Sequence, residues 1–278
     1  MSSLASTFSS SIGKKFLMGL TGLFLVSFLF VHVSGNILLF KSDGGLAFNE
    51  YTRFMTTTSI IKILEWVLFG GFIAHIILAA VLTSNNNKAR PEKYAFNKSQ
   101  AASSNWFSRN MGLSGTIVLT FLILHLVMFW GKYKFGDGTQ EITLTQAYEE
   151  AWKLKEPVLD SNGAMVLDKN SYVDYEVLGE LRAMDLPKEK YSAISMTEVV
   201  KASFSADRWY IVVFYVLALV LLAFHLSHGF QSAFRTLGFV HKKYTPAIMN
   251  IGTVIAVGVP IVFAAMPLFF LFRDLGLF

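Results

Sequence analysis

The stretch that decides the fold is Met18-Gly-Leu-Thr-Gly22, which continues through a predominantly apolar run to His32. It occurs a second time as Met111-Gly-Leu-Ser-Gly115, and this copy continues in the same way to His125. The histidine follows the first residue of the segment by fourteen positions in both copies. Both runs are long enough to cross a bilayer, so each copy is predicted to place one histidine inside a membrane.

The composition also indicates a membrane protein. Of the 278 residues, 53% are hydrophobic and only 15% are charged, which is too apolar for a soluble globular chain. The chain contains no cysteine, which excludes disulfides, zinc–thiolate sites and iron–sulfur clusters held by cysteine. The formal charge of +5 comes from basic residues in short connections between apolar runs, so no nucleic-acid partner is expected.

Five apolar runs reach the ~20 residues that a ~30 Å hydrocarbon core requires. Because backbone groups cannot stay unpaired in lipid, all five are predicted to be helices. The predicted fold class is therefore all-α, an integral membrane bundle that forms one domain over residues 1–278. The spans cover about 14–40, 58–84, 108–134, 207–235 and 246–273. The first run is too long for a cleaved signal, and Pro260 and Pro267 predict a bend in the fifth span.

Lysine and arginine in the connections predict the orientation, since they collect on the cytoplasmic side. One side carries Lys14, Lys15, Lys88, Arg90, Lys93, Lys98, Arg109, Arg235, Lys242 and Lys243. We therefore expect a multi-pass protein of a bacterial inner membrane with a cytoplasmic N-terminus. The other side holds a short loop at 41–57 and a long loop at about 135–206, with a helix-like alternation at 144–154. The long loop is predicted to cap the outer face.

Histidines in the first four spans lie at two depths. His32 and His125 lie roughly 25 Å from the inner ends of outward-running helices, whereas His75 and His225 lie roughly 13 Å from the inner ends of inward-running ones. A neutral imidazole is a good ligand for haem iron, so two pairs at two levels predict two bis-histidine haems. A single membrane histidine can instead be a packing residue, but for four histidines that pair by depth this is the minor interpretation. His241 lies in a basic loop and is predicted to be solvated.

The repeat places small residues at the inner level. Thr21 and Ser114 precede the repeated histidines by eleven residues, about three helical turns, so they share a face with them and lie roughly 16 Å closer to the cytoplasm. Gly22 and Gly115 follow directly. These residues would leave clearance for the second porphyrin. The alternative explanation for these small residues is close packing between helices, and the two explanations are compatible.

The same residues resemble those of a known family, the dihaem cytochrome b membrane anchor of succinate dehydrogenase and fumarate reductase, of the five-helix, single-subunit type. The motifs are Lys14-Lys15, His32-Val-Ser-Gly-Asn36, His75, His125 and His225-Leu-Ser-His-Gly229. The resemblance covers the five spans. It implies that His32 and His125 bind the distal haem b, and that His75 and His225 bind the proximal haem b.

His225 and His228 compete for the fourth ligand position. The family has a histidine followed four residues later by glycine, which fits His225 with Gly229. His228 is then a partner of a haem propionate or a polar residue of the proximal site. Some fumarate reductases of this family carry a glutamate two residues before this ligand for proton movement across the membrane. Ala223 stands there in this chain, which argues against that function.

Glu65 and Tyr215 are candidates for proton handling at a quinone site. Each precedes a proximal ligand by ten residues on its own helix, which places it about 15 Å outward, near the distal level. Quinone reduction consumes two protons with two electrons, so a carboxylate and a phenol suit it. The alternatives are that Lys62 and Glu65 pair on one helix face, or that Lys62 extends outward to the interface.

The resemblance implies a subunit that transfers electrons and carries the quinone site. Without its partner subunits it would not act on succinate. Its implied partners are a flavoprotein and an iron–sulfur protein on the cytoplasmic side and a membrane quinone, with menaquinone favoured over ubiquinone. The basic loops, with Arg109 and Arg235, are the predicted docking surface. Two alternatives stay open. One is a cytochrome b of another oxidoreductase, such as a hydrogenase or formate dehydrogenase, and the other is a haem-free transporter whose histidines relay protons.

Overall fold

The computed structural model describes residues 9–42, 45–89, 110–135, 140–143, 190–193 and 196–277. Within these ranges the chain is mostly helical, with five helices long and apolar enough to cross a membrane. They are Ser11–Phe40, Ser59–Lys88, Met111–Phe135, Ala206–Thr236 and Thr245–Asp274. The five predicted spans are confirmed, with ends that agree within four residues, and they indicate a multi-pass membrane protein.

The elements follow in chain order. Helix α1 is Ser11–Asn36 and continues in a 3-10 turn, Ile37–Phe40; a short helix α2, Leu46–Thr57, precedes α3, Ser59–Lys88. Helix α4 is Met111–His125, followed by a π-helical turn, Leu126–Gly131, and a last α-helical turn, Lys132–Phe135. Helix α5 is Met196–Ser203, α6 is Trp209–Thr236 and α7 is Thr245–Asp274.

Large apolar side chains cover the outside of the long helices. On α3, Ile63, Trp66 and Ile77 are all exposed. A helix that is apolar on all faces suits lipid on one side and neighbouring helices on the other. Helix α7 runs without interruption through Pro260 and Pro267. The bend that these prolines predict stays a prediction.

Helix α6 ends in a Schellman motif. Gly238 has a φ of +83°, and the amide of Phe239 donates to the carbonyl of Phe234 at 3.0 Å. This bond closes the last turn and pairs a carbonyl that the helix itself leaves without a donor. A glycine is favoured at the positive φ because it carries no Cβ.

The loops contain more structure than the sequence predicted. The 41–57 loop contains α2, and the long loop contains two strands and α5. Strand β1, Gln140–Thr143, pairs antiparallel with β2, Lys190–Ala193, a local feature that the all-α prediction did not include. These strands are too short for a clear alternation of polar and apolar residues, and they are too far apart in sequence for a hairpin turn to predict their pairing. The predicted helix-like stretch at 144–154 and Arg109 lie outside the described residues.

The chain forms two compact units. The first comprises Met1–Val33, Lys62–Phe121 and Val213–Ala265, and the second comprises Ser34–Ile61, Leu122–Val212 and Met266–Phe278. The first unit has a core cluster around Val26, Leu226, Phe230 and Ala256. The second unit buries apolar residues of α2 and α5, among them Phe48, Val199 and Val200.

Candidate functional site

His75 and His225 face each other in the first compact unit. His75 lies on α3 and His225 on α6, and their ring centroids are 6.4 Å apart with an interplanar angle of 72°. The two histidines that the sequence assigns to the proximal level are therefore neighbours in space. Both imidazoles are partly buried between apolar helices.

The hydroxyl of Thr21 orients the ring of His75. Thr21 Oγ1 lies 3.1 Å from His75 Nδ1, and it also lies 3.0 Å from the carbonyl oxygen of Leu17 and 3.1 Å from that of Met18. The hydroxyl has one hydrogen, which the backbone carbonyls attract, so its oxygen is free to accept a hydrogen bond from Nδ1–H. In that tautomer Nε2 of His75 carries the lone pair and can bind a metal.

Ser114 stands in the same relation to His225. Its Oγ lies 3.5 Å from His225 Nδ1 and 3.1 Å from the carbonyl oxygen of Met111. Ser114 is only 4% exposed, so its hydroxyl has little access to water. The contact is longer than that of Thr21 and lies at the limit of a hydrogen bond. Each copy of the repeat thus places one hydroxyl group beside Nδ1 of one histidine.

Gly22 and Gly115 border the same two rings. A Cβ on Gly22 would lie 3.5 Å from Cε1 of His75, and a Cβ on Gly115 would lie 3.4 Å from Cε1 of His225. A single methyl group would therefore make ordinary contact with each ring. A branched or longer side chain would occupy the space beside the imidazoles, so the site depends on small residues there.

The donor set fits haem iron. Two imidazoles on opposite sides of one metal have centroids roughly 6 Å apart, if each nitrogen lies about 2 Å from the metal and about 1 Å from its ring centre. The observed 6.4 Å is close to that separation, and an edge-on contact of two rings gives the same distance. A porphyrin would bring four nitrogen ligands of its own, so two neutral histidines would complete the coordination of the iron. A hydrogen bond from Nδ1–H to a neighbouring hydroxyl would leave Nε2 of each imidazole as the donor atom.

The two distal candidates fall in different compact units. His32 stacks on Phe28, with centroids 5.3 Å apart and an interplanar angle of 17°, and it also contacts Phe263 at 5.4 Å. His125 is the last residue of α4 before the π-helical turn, and its ring lies 5.1 Å from that of Phe129. Their pairing in one haem site rests on the sequence.

The remaining predicted site residues lie on α3 and α6. Tyr215 is 4% exposed, and its ring meets that of Phe121 edge-on at 5.0 Å. Glu65 is partly buried on α3, one turn after the exposed Lys62. His228 is partly buried on α6, one turn after the proximal ligand candidate.

Sequence reasoning missed two contacts made by helix α2. A Cβ on Gly35 would overlap the ring of Tyr51. The ring of this α2 tyrosine therefore packs directly against the backbone of α1. Burial raises the pKa of the Tyr51 phenol above its ordinary value. Asn49 and Thr197 form a buried hydrogen-bonded pair between α2 and α5. Neither contact has a signal in sequence spacing, since both join segments that fold back on each other.

Comparison with known proteins identifies no relative. No family profile, no curated protein and no solved structure matches the chain. The repeat and the geometry around the histidines are therefore the features that point to a function.

Proposed function

We propose that this protein is the dihaem cytochrome b subunit of a membrane succinate:quinone oxidoreductase, a succinate dehydrogenase or fumarate reductase. The observation that carries the proposal is the opposition of His75 and His225, each with its Nδ1 against a hydroxyl from one copy of the repeat. Four features support the proposal: helical spans, neighbouring imidazoles, a hydroxyl beside each Nδ1, and small residues next to the rings.

The residues of the chain have distinct tasks in this function. His75 and His225 would hold the proximal haem, and His32 and His125 the distal one. Bound haem supplies one-electron transfer between ferric and ferrous iron. Thr21 orients the imidazole of His75 and keeps its metal-binding nitrogen unprotonated, while the surrounding apolar helices exclude water.

The proposed partners follow from the resemblance. A flavoprotein that interconverts succinate and fumarate and an iron–sulfur protein would bind on the cytoplasmic side, and menaquinone, rather than ubiquinone, would react near the outer level. Arg235 is exposed at the end of α6, as docking requires. Glu65 and Tyr215 are the proposed proton-handling residues. The burial of Tyr215 suits transfer along a hydrogen-bonded path better than direct contact with bulk water.

The test is the haem content of the purified protein. We expect two haem b per chain by pyridine haemochrome assay, with a reduced-minus-oxidised spectrum of the b type. A colourless preparation that was supplied with haem during expression would contradict the proposal and favour the transporter alternative. Co-purification with a flavin-bearing subunit would exclude a hydrogenase or formate dehydrogenase partner.

A further inference from the structure

The two short helices outside the membrane spans connect the ends of α1 and α4. Helix α2 packs against the 3-10 turn Ile37–Phe40 that ends α1 and against α5, and α5 packs against the π-helical turn Leu126–Gly131 of α4. All of these segments belong to the second compact unit. We call the pair formed by Leu46–Thr57 and Met196–Phe204 the clasp.

A buried set of hydrogen bonds holds the clasp together. The side-chain oxygen of Asn49 accepts a hydrogen bond from the amide of Thr197 at 3.1 Å and lies 3.2 Å from its hydroxyl, which is also 3.2 Å from the carbonyl oxygen of Gly45. Asn49 is 5% exposed and Thr197 is 3% exposed. Buried polar groups that lose their partners are destabilising, so these bonds favour one register of α2 against α5.

One end of the clasp lies against α1 beyond His32. Tyr51 of α2 covers Gly35, where a Cβ would overlap its ring. Gly35 follows His32 by three residues, so the two lie on neighbouring parts of the same helix face. The tyrosine therefore restrains the helix one turn after the first distal ligand candidate.

The other end reaches the ring next to His125. Phe204, directly after α5, is buried, and its ring lies 6.0 Å from that of Phe129. Phe129 in turn lies 5.1 Å from the imidazole of His125. The π-helical turn begins at the residue after His125, and such turns often mark functional positions because they redirect side chains within a helix.

We propose that the clasp orients the imidazole of His125 through Phe204 and Phe129, so that α2 and α5 set the geometry of the distal haem ligand. This inference rests on the proposed function. Phe129 and Phe204 are positioning residues, and Thr197 keeps α5 in place. Groups that orient a metal-binding histidine tune the metal that it holds, so the effect would fall on the haem held by His125.

The experiment compares the two haems in variants of the protein purified with the subunits that accompany it. Phe204→Leu removes the ring that supports Phe129, and Thr197→Val removes the hydroxyl of the clasp. Electron paramagnetic resonance gives the signal of each haem, and redox titration gives its potential. The signal lost in His125→Ala is assigned to the distal haem, and the signal lost in His75→Ala is assigned to the proximal haem. We expect Phe204→Leu and Thr197→Val to shift the distal signal and potential and to leave the proximal ones unchanged.

Matched controls separate positioning from general damage. Thr52→Val removes a hydroxyl that donates to the carbonyl of Phe48 in its own helix, at 2.7 Å, and Phe54→Leu removes an exposed ring of α2. Both should leave the two signals as in the wild type. Thr197→Ser keeps the hydroxyl and should restore the wild-type distal signal.

Each outcome decides one question. Wild-type protein without haem would contradict the proposed function itself. The role of the clasp would be overturned if the wild-type protein binds two haems but Phe204→Leu and Thr197→Val leave both haem signals unchanged. It would also be overturned if these variants shift both signals equally. If Thr197→Val does not accumulate, Phe129→Leu decides, because it leaves the buried bonds of the clasp intact. An unchanged distal signal in that variant would overturn the inference.

Discussion

The hydroxyl of Thr21 permits a quantitative test of the proximal site. Thr21→Val keeps the shape of the side chain and removes the oxygen that lies 3.1 Å from His75 Nδ1. The Nδ1–H would then lack its acceptor in a partly buried site, at a cost of about 1–3 kcal/mol. Loss of the partner that orients a metal-binding histidine typically lowers affinity by about 10–100-fold, which corresponds to roughly the same energy at about 1.4 kcal/mol per factor of ten.

The second copy of the repeat predicts a smaller effect. In Ser114→Ala the lost contact is 3.5 Å long, at the edge of hydrogen bonding, so we expect a loss of affinity of about tenfold or less. Thr116→Val is the matched control, since the hydroxyl of this exposed threonine donates to the carbonyl of Gly112 in its own helix, at 2.9 Å.

The assay is retention of haem against a competing apoprotein. Purified variants are incubated with excess apomyoglobin, and the haem left per chain is followed by its absorbance. The proximal haem should leave fastest in Thr21→Val, more slowly in Ser114→Ala, and at the wild-type rate in Thr116→Val. Equal retention in Thr21→Val and Thr116→Val would refute the argument that the hydroxyl fixes the tautomer of His75.

Three other substitutions test the site residues. His225→Ala should remove the same haem as His75→Ala in a spectral titration; if both haems stay in His225→Ala, the ligand role passes to His228. Glu65→Gln should keep both haems and impair quinone turnover in a dye-coupled assay, and unchanged turnover would contradict its role in proton handling. Gly22→Leu should exclude the proximal haem, because a Cβ there already lies 3.5 Å from the imidazole, whereas Gly22→Ala should retain it by haem content.

The sequence by itself determined the five membrane helices. Apolar runs of about twenty residues have one stable solution in lipid, because only a helix pairs every backbone group within one segment. The repeat also determined that Thr21 and Ser114 lie at the level of His75 and His225, since residue number along a helix converts directly into depth at about 1.5 Å per residue.

Only the tertiary structure decided which groups meet. Depth does not state how a helix is rotated or which helix lies beside it, so Thr21 could have faced lipid; packing turns it towards His75 and turns Ser114 towards His225. The contact of Tyr51 with Gly35 is equally invisible in the sequence, as is the role of α5 in the clasp. These contacts join segments far apart in the chain, and their energy comes from close packing and buried hydrogen bonds that no local pattern records.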